Sequence, residues 1–208
     1  MIEDELTRLL KDKNLVSQID KRVREFKEIG RASKERIFSE LSFCILTANY
    51  RADRSILIQE KVGNGFLTLP KDRLAEVLRS LGHRFPNTRA RYIISARDRL
   101  DDIVDLLSSG RQDSELREWL VRNVKGLGYK EASHFLRNTG HLDVAIIDFH
   151  IVDLLYREGV ITQKPKRLGK REYLNIERQL VPLGERFGLR LGELDLYLWY
   201  LETGKVLK

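Results

Sequence analysis

The residue types best suited to chemistry lie in the stretch from Leu116 to Asp148. An amphipathic helical pattern there runs into the hexapeptide KGLGYK at 125–130, in which two glycines two positions apart favour a tight hairpin. A second helical pattern begins at once, so its first N–H groups have no partners within the helix. Such N–H groups suit the oxygens of a phosphate.

Other glycine-rich phosphate-binding motifs do not fit this hairpin. A dinucleotide-binding fingerprint needs a preceding strand and a third glycine, where this chain has Glu131. The Walker loop spacing is absent as well. The pattern therefore predicts a helix-hairpin-helix, which binds the DNA backbone without reading sequence. Taken alone, the hairpin also fits an ordinary helix end followed by a tight turn.

An amine and a carboxylate accompany the hairpin. Lys130 opens the second helix, and Asp148 follows the apolar run 144–147 and precedes a new helical pattern from Phe149 to Arg157. A carboxylate in that position is a natural N-cap, and a lysine beside a hairpin is a natural phosphate ligand. From the residues alone, both structural roles stay open beside a catalytic one.

Composition restricts the class of protein. The 208 residues are 42% hydrophobic, enough for a core without disulfides. The one cysteine, Cys44, lies in an apolar run and is expected to be a buried thiol, which excludes disulfides and cysteine-ligated clusters within the chain. The four histidines lack metal-ligand spacing, so we expect no catalytic metal and no cofactor.

Charge points to a polyanionic partner. Lys plus Arg number 38 against 31 for Asp plus Glu, a net charge of +7, and the pI is about 9.5. Five basic residues without an acid fall within 164–171, and five arginines fall within 84–99, although either cluster alone is also typical of solvated surface.

No apolar run reaches the roughly 20 residues of a membrane span, and the N-terminus is acidic. We therefore expect a soluble intracellular protein, in the cytoplasm or nucleoid, without membrane contact.

Helical periodicity dominates the chain, and no segment alternates as a strand would. Apolar stripes, such as the one from Ile93 to Leu107, follow spacings of three and four residues. Glycine- and proline-containing breaks divide the chain into about ten expected helices. The fold class is predicted to be all-α, and no linker is long enough to separate two independent units.

Several segments together resemble the archaeal-type 8-oxoguanine DNA glycosylase/AP lyases of the helix-hairpin-helix-Gly/Pro-Asp superfamily. The resemblance covers roughly residues 17–208, with one departure: Phe149 stands where a basic residue is expected. The segments are LSFCILTAN (41–49), GHRF (82–85), LVRNVKGLGYKEASHFLRN (120–138), AIIDFH (145–150) and DLYLWY (195–200).

The resemblance implies two closely packed helical lobes, residues 33–112 and residues 1–32 plus 113–208, with the active site in the cleft between them. It implies a monomer acting on double-stranded DNA that contains 8-oxoguanine or abasic sites. Lys130 would attack C1′, expel the base and form a Schiff base, after which β-elimination cuts the strand 3′ to the lesion. Asp148 would stabilise the positively charged sugar. An ordinary lysine, with a pKa of about 10.4, would need its neutral form favoured.

The resemblance also assigns secondary roles. A pocket for the flipped base would be lined by Phe85, Trp199, Ser133 and the C-terminal Lys208. Backbone carbonyls of Arg122, Val124 and Leu127 would hold a cation that bridges to a phosphate. DNA contacts would come from Asn49, Tyr50, Arg51, Lys125, Gly126, Gly128 and His150.

Two alternatives remain at this level. The chain could be a non-catalytic helix-hairpin-helix module that binds DNA without cutting it. It could also be a glycosylase for another damaged base, although the lack of an iron-sulfur cysteine set disfavours the endonuclease III and adenine-mismatch branches.

Overall fold

The computed structural model describes residues 1–208 and confirms an all-α fold. Thirteen helices form instead of the ten expected, because polar and irregular turns break the chain where no proline marks the break. Asp12, for example, ends α1 and caps α2 by accepting from the N–H groups of Asn14 and Leu15. The helices are α1 Ile2–Lys11, α2 Lys13–Gly30, α3 Lys34–Thr47, α4 Ala52–Val62, α5 Gly65–Thr68, α6 Lys71–Ser80, α7 Pro86–Arg97, α8 Leu100–Leu107, α9 Asp113–Asn123, α10 Tyr129–Asn138, α11 Phe149–Arg157, α12 Lys170–Phe187 and α13 Leu191–Thr203.

The apolar side chains form two buried clusters. The first draws on α3 to α10 and contains Cys44, which is fully buried as expected. The second draws on α1, α2 and α11 to α13. Apolar residues of α9 and α10 pack into the first cluster, although their sequence belongs to the segment assigned to the other lobe. The boundary at residues 112 and 113 stays a prediction.

Helix α10 lies between the two clusters and is tied to both by buried polar groups. Arg137 pairs with Asp195 of α13, and the Asn138 amide donates to the Glu40 carboxylate of α3 at 2.6 Å. Buried charges are costly unless they are paired and hydrogen-bonded. These contacts therefore fix α10 relative to α3 and α13.

A second buried ion pair joins α9 to α12. The Arg117 guanidinium donates to both oxygens of Glu177, at 2.5 and 2.7 Å, and also to the Ser133 hydroxyl at 3.2 Å. Glu177 accepts in addition from the Ala145 N–H at 2.8 Å. The pair thus holds the segment that leads from α10 towards Asp148.

The helices of the chain were also compared with the length and hydrophobicity that a membrane span requires, and none of them meets both requirements.

We expect Glu177→Gln to lower the free energy of unfolding by about 3 kcal/mol, because Arg117 would remain buried without its counter-charge. Urea denaturation measures the change. The matched variant Glu185→Gln, at an exposed position of the same helix, should change stability by less than about 0.5 kcal/mol. Equal losses in the two variants would contradict a structural role for the pair.

Candidate active site in the hairpin cleft

The predicted hairpin is present between α9 and α10. Gly126 adopts a φ of +93°, and a Cβ there would lie 2.5 Å from the Tyr92 ring. Leu127 is buried in the first cluster and anchors the turn. Gly128 differs from expectation, because its φ of −89° is open to any residue; it serves as the N-cap of α10, and its N–H donates to Glu131.

Lys130 is the second residue of α10, and Asp148 is the N-cap of α11, where its carboxylate accepts from the Ile151 N–H at 3.0 Å. Both side chains are half-buried. Both also act electrostatically on one buried carboxyl, that of Asp195 on α13. Lys130 and Asp148 therefore both lie within electrostatic range of Asp195.

Asp195 is a site-lining residue that the sequence reasoning did not single out. The pKa of its carboxyl is raised to about 6, mainly because the group is buried. The charge of Asp148 adds to this increase, whereas Arg137 and Lys130 lower the pKa. Its position inside an apolar helix, DLYLWY, was the available signal, since a buried acid requires a partner.

The C-terminal Lys208 also comes to this region. Its ammonium donates to Glu40 at 2.9 Å and to the Gln59 side chain, and it lies 4.5 Å from the centre of the Phe43 ring. The charges of Lys208 and Lys130 both act on the buried Cys44 thiol. The end of the chain is thus folded back beside the hairpin lysine.

His134 lies four residues after Lys130, on the same face of α10. Its ring contacts Phe43 edge-on, with 5.4 Å between the ring centres, and its nitrogens are buried against the backbone of the C-terminal Lys208. Burial lowers the pKa of the imidazole well below its usual value, so the ring is neutral. The indole N–H of Trp199 is buried and has no hydrogen-bond partner. Trp199 itself is half-buried, 6.5 Å from the ring of His150.

Ser133 does not reach this face. It is fully buried, and its hydroxyl accepts from Arg117, so its role is in the ion-pair network beneath α10. Its place in the base pocket stays a prediction.

The loop Asn49–Arg51 and the aromatic Phe85 form a neighbouring group. Asn49 has a φ of +54°. The Tyr50 hydroxyl donates to the Gly82 carbonyl at 2.9 Å, and Arg51 pairs with the exposed Asp53. Phe85 lies between the guanidinium groups of Arg84 and Arg89, at 5.0 and 5.7 Å.

His83 and Arg89 hold this group in place. The buried His83 contacts the Leu46 carbonyl through Nε2 and accepts the Phe85 N–H through Nδ1. Arg89 donates to the Ala48 carbonyl. Sequence reasoning missed both residues, because each contact joins positions about forty residues apart.

The remaining predicted DNA contacts are open to solvent. Lys125, Gly128 and His150 are exposed, and Phe149 beside the catalytic candidate Asp148 is 54% exposed. The Arg122 and Leu127 carbonyls accept no hydrogen bond, whereas the Val124 carbonyl accepts the Leu127 N–H at 3.3 Å.

No group of three or more His, Cys, Asp or Glu side chains could hold a metal ion. A cavity of about 370 Å³ lies elsewhere, between α6 and α7.

Comparison with known proteins gives a consistent result. A family model described as 8-oxoguanine DNA glycosylase matches residues 19–189. The 8-oxoguanine DNA glycosylase/AP lyases of Methanocaldococcus jannaschii and Korarchaeum cryptofilum are 54% and 52% identical over 199 residues, covering 96% of this chain and 96% and 94% of theirs. The crystal structure of the M. jannaschii 8-oxoguanine glycosylase/lyase in complex with 15mer DNA containing 8-oxoguanine matches with a TM-score of 0.95 and 51% identity, covering 100% of both chains.

The two hairpin glycines should respond differently to alanine. Gly126→Ala places a Cβ at positive φ against Tyr92, and we expect a loss of about 1 to 3 kcal/mol in unfolding free energy. Gly128→Ala meets only the flexible end of Glu131, at 3.0 Å, and should cost less than about 1 kcal/mol. Urea denaturation of both variants tests this order, and a reversed order would refute the turn geometry.

Asp195 should make stability depend on pH. Its folded pKa of about 6 exceeds the 3.8 of an ordinary aspartate, so its contribution is complete well below pH 3.8 and is lost as pH rises through 6. Relative to Asp195→Asn, the wild type should lose about 2.4 kcal/mol between pH 4 and pH 7, at about 1.4 kcal/mol per pKa unit with part already lost at pH 4. Thermal or urea unfolding across this range tests the difference. A constant difference between the proteins would disprove the raised pKa.

Proposed function

The chain belongs to the 8-oxoguanine DNA glycosylase family, and we propose that it is a bifunctional DNA repair enzyme that excises 8-oxoguanine and cuts the resulting abasic strand. The observation that carries the assignment is the placement of Lys130 directly after the hairpin, at the start of α10, with Asp148 at the N-cap of α11 and both within electrostatic range of the buried Asp195. A DNA-binding module without catalysis needs the hairpin but has no need of this amine and carboxylate together. The site of action would be the nucleoid, where the substrate lies.

The proposed reaction begins when the neutral amine of Lys130 attacks C1′ of the flipped nucleotide. The C1′–N9 bond breaks, its electron pair leaves with the base, and the base takes up a proton at N9. The half-buried carboxylate of Asp148 lies where positive charge develops on the sugar, and such preorganised charge is worth several kcal/mol. The sugar ring then opens: the nitrogen lone pair forms the C=N bond of a protonated Schiff base as the C1′–O4′ bond breaks and O4′ takes up a proton. Loss of a proton from C2′ of this Schiff base expels the 3′ oxygen with its electron pair and cuts the strand.

An unpartnered indole N–H supports the proposed base pocket. The buried indole nitrogen of Trp199 has no partner within the chain, and such an atom costs about 1 to 3 kcal/mol. A flipped purine offers an acceptor to this N–H, together with an aromatic face for the indole ring. Phe85 and Lys208 remain our proposed pocket neighbours.

The proposed DNA contacts continue on either side of the site. The hairpin residues Lys125, Gly126 and Gly128 would bind a phosphate, with His150 beside them. The carbonyls of Arg122, Val124 and Leu127 would hold a cation. Asn49, Tyr50 and Arg51 would occupy the gap left by the extruded base. Loop positioning by Arg89 and His83 supports that role. The enzyme is proposed to act as a monomer.

Borohydride reduction of the Schiff base tests the nucleophile. Wild-type protein incubated with a duplex containing 8-oxoguanine should give a covalent protein–DNA adduct, and Lys130→Gln should give none because no amine reaches C1′. The control Lys21→Gln, on the exposed side of α2, should form the adduct normally. An undiminished adduct with Lys130→Gln would remove the mechanism.

Asp148→Asn should separate the chemical role of the carboxylate from its capping role. Asparagine also caps helices well, so the fold should persist while single-turnover excision slows by about 10² to 10³. Asp12→Asn makes the same change at the N-cap of α2 and should leave the rate unchanged. Equal rates in the two variants would reduce Asp148 to a cap.

A further inference from the structure

The segment 164–171 carries five basic residues and no acid, and the site described above does not use it. It connects α11 to α12, and its basic side chains are exposed. Two of the five are occupied within the protein. Lys164 pairs with Asp153 of α11 at 2.7 Å and covers the Tyr156 ring at 5.0 Å, and Lys170 pairs with Glu118 of α9 at 2.9 Å.

These two pairs fix the segment beside the active-site hairpin. Glu118 accepts from both Lys170 and the Tyr129 hydroxyl, and Lys170 lies 5.7 Å from the centre of the Tyr129 ring. Tyr129 is the first residue of α10 and immediately precedes Lys130. The segment is therefore continuous with the surface that presents the hairpin and the nucleophile.

The other three basic residues, Lys166, Arg167 and Arg171, form no ion pair. An acid-free group of unpaired cations on a tethered segment creates a positive surface that favours phosphate. We propose that the 164–171 segment is a second DNA-backbone contact, in which Lys166 and Arg167 bind phosphates of the same duplex that the hairpin holds. The inference rests on the proposed function for the identity of the duplex.

Salt dependence measures the contact directly, because each lost phosphate contact lowers the slope of log affinity against log salt by about 0.9. The test compares wild type with Lys166→Gln/Arg167→Gln on a duplex carrying an uncleavable abasic analogue and on the same duplex without it. If both residues bind phosphate, the slope should fall by about 1.8, so that wild type loses about tenfold more affinity than the variant between 50 and 200 mM salt.

A matched control removes the same charge elsewhere. Lys11→Gln/Lys13→Gln changes two exposed lysines at the junction of α1 and α2, and its slope should stay within about 0.3 of wild type. Equal slope changes in the two double variants would overturn the proposal, because the effect would then be one of net charge. An unchanged slope in Lys166→Gln/Arg167→Gln would overturn it as well.

Failure of this proposal and failure of the proposed function are distinguishable. Borohydride trapping at saturating DNA should be the same in Lys166→Gln/Arg167→Gln and wild type, because neither residue touches the reacting atoms. Absence of an adduct in wild type would reject the lysine mechanism, yet the slope on undamaged duplex would still decide whether the segment binds phosphate.

Discussion

The position of α10 depends on the buried pairing of its C-terminal residues with the helices on either side. Arg137 with Asp195, and Asn138 with Glu40, connect α10 to α13 and α3 where the two apolar clusters meet. Movement of α10 would leave buried charges unpaired, at a cost of several kcal/mol. Because Lys130 occupies the other end of the same helix, this constraint also fixes the amine relative to both clusters.

The features predictable from sequence are those with local signals. The helical period, the glycine spacing of the hairpin and the N-cap geometry of Asp148 each depend on residues within a few positions of one another. Apolar surroundings were likewise enough to predict that Cys44 is buried. These features follow from backbone sterics and hydrophobic burial, which act here between residues that are close together in the sequence.

The features that escaped prediction depend on distant partners. Asp195 and Glu40 contact residues of α10 that are 58 and 98 positions away. The apolar neighbours of Asp195 indicate burial, but nothing local identifies the partner of either acid. Ser133 likewise depends on a distant partner, because its hydroxyl accepts from Arg117, sixteen residues away on α9. The additional helix breaks at Asp12 and at Gly188 depend on turn chemistry that short polar linkers provide without proline.

The hairpin combines two requirements that would conflict on a flexible loop. Binding of a phosphate needs exposed N–H groups, while nucleophilic attack needs an amine positioned to within a fraction of an ångström, since a misplacement of about 1 Å can cost a hundredfold in rate. Here packing fixes the exposed turn, because Gly126 lies against Tyr92 and Leu127 is buried in the first cluster. The buried pairs at the C-terminal end of α10 fix the helix that carries Lys130 at its N-terminal end. Under the proposed mechanism, this support on both sides would let the same few residues bind the DNA backbone and hold Lys130 against the sugar.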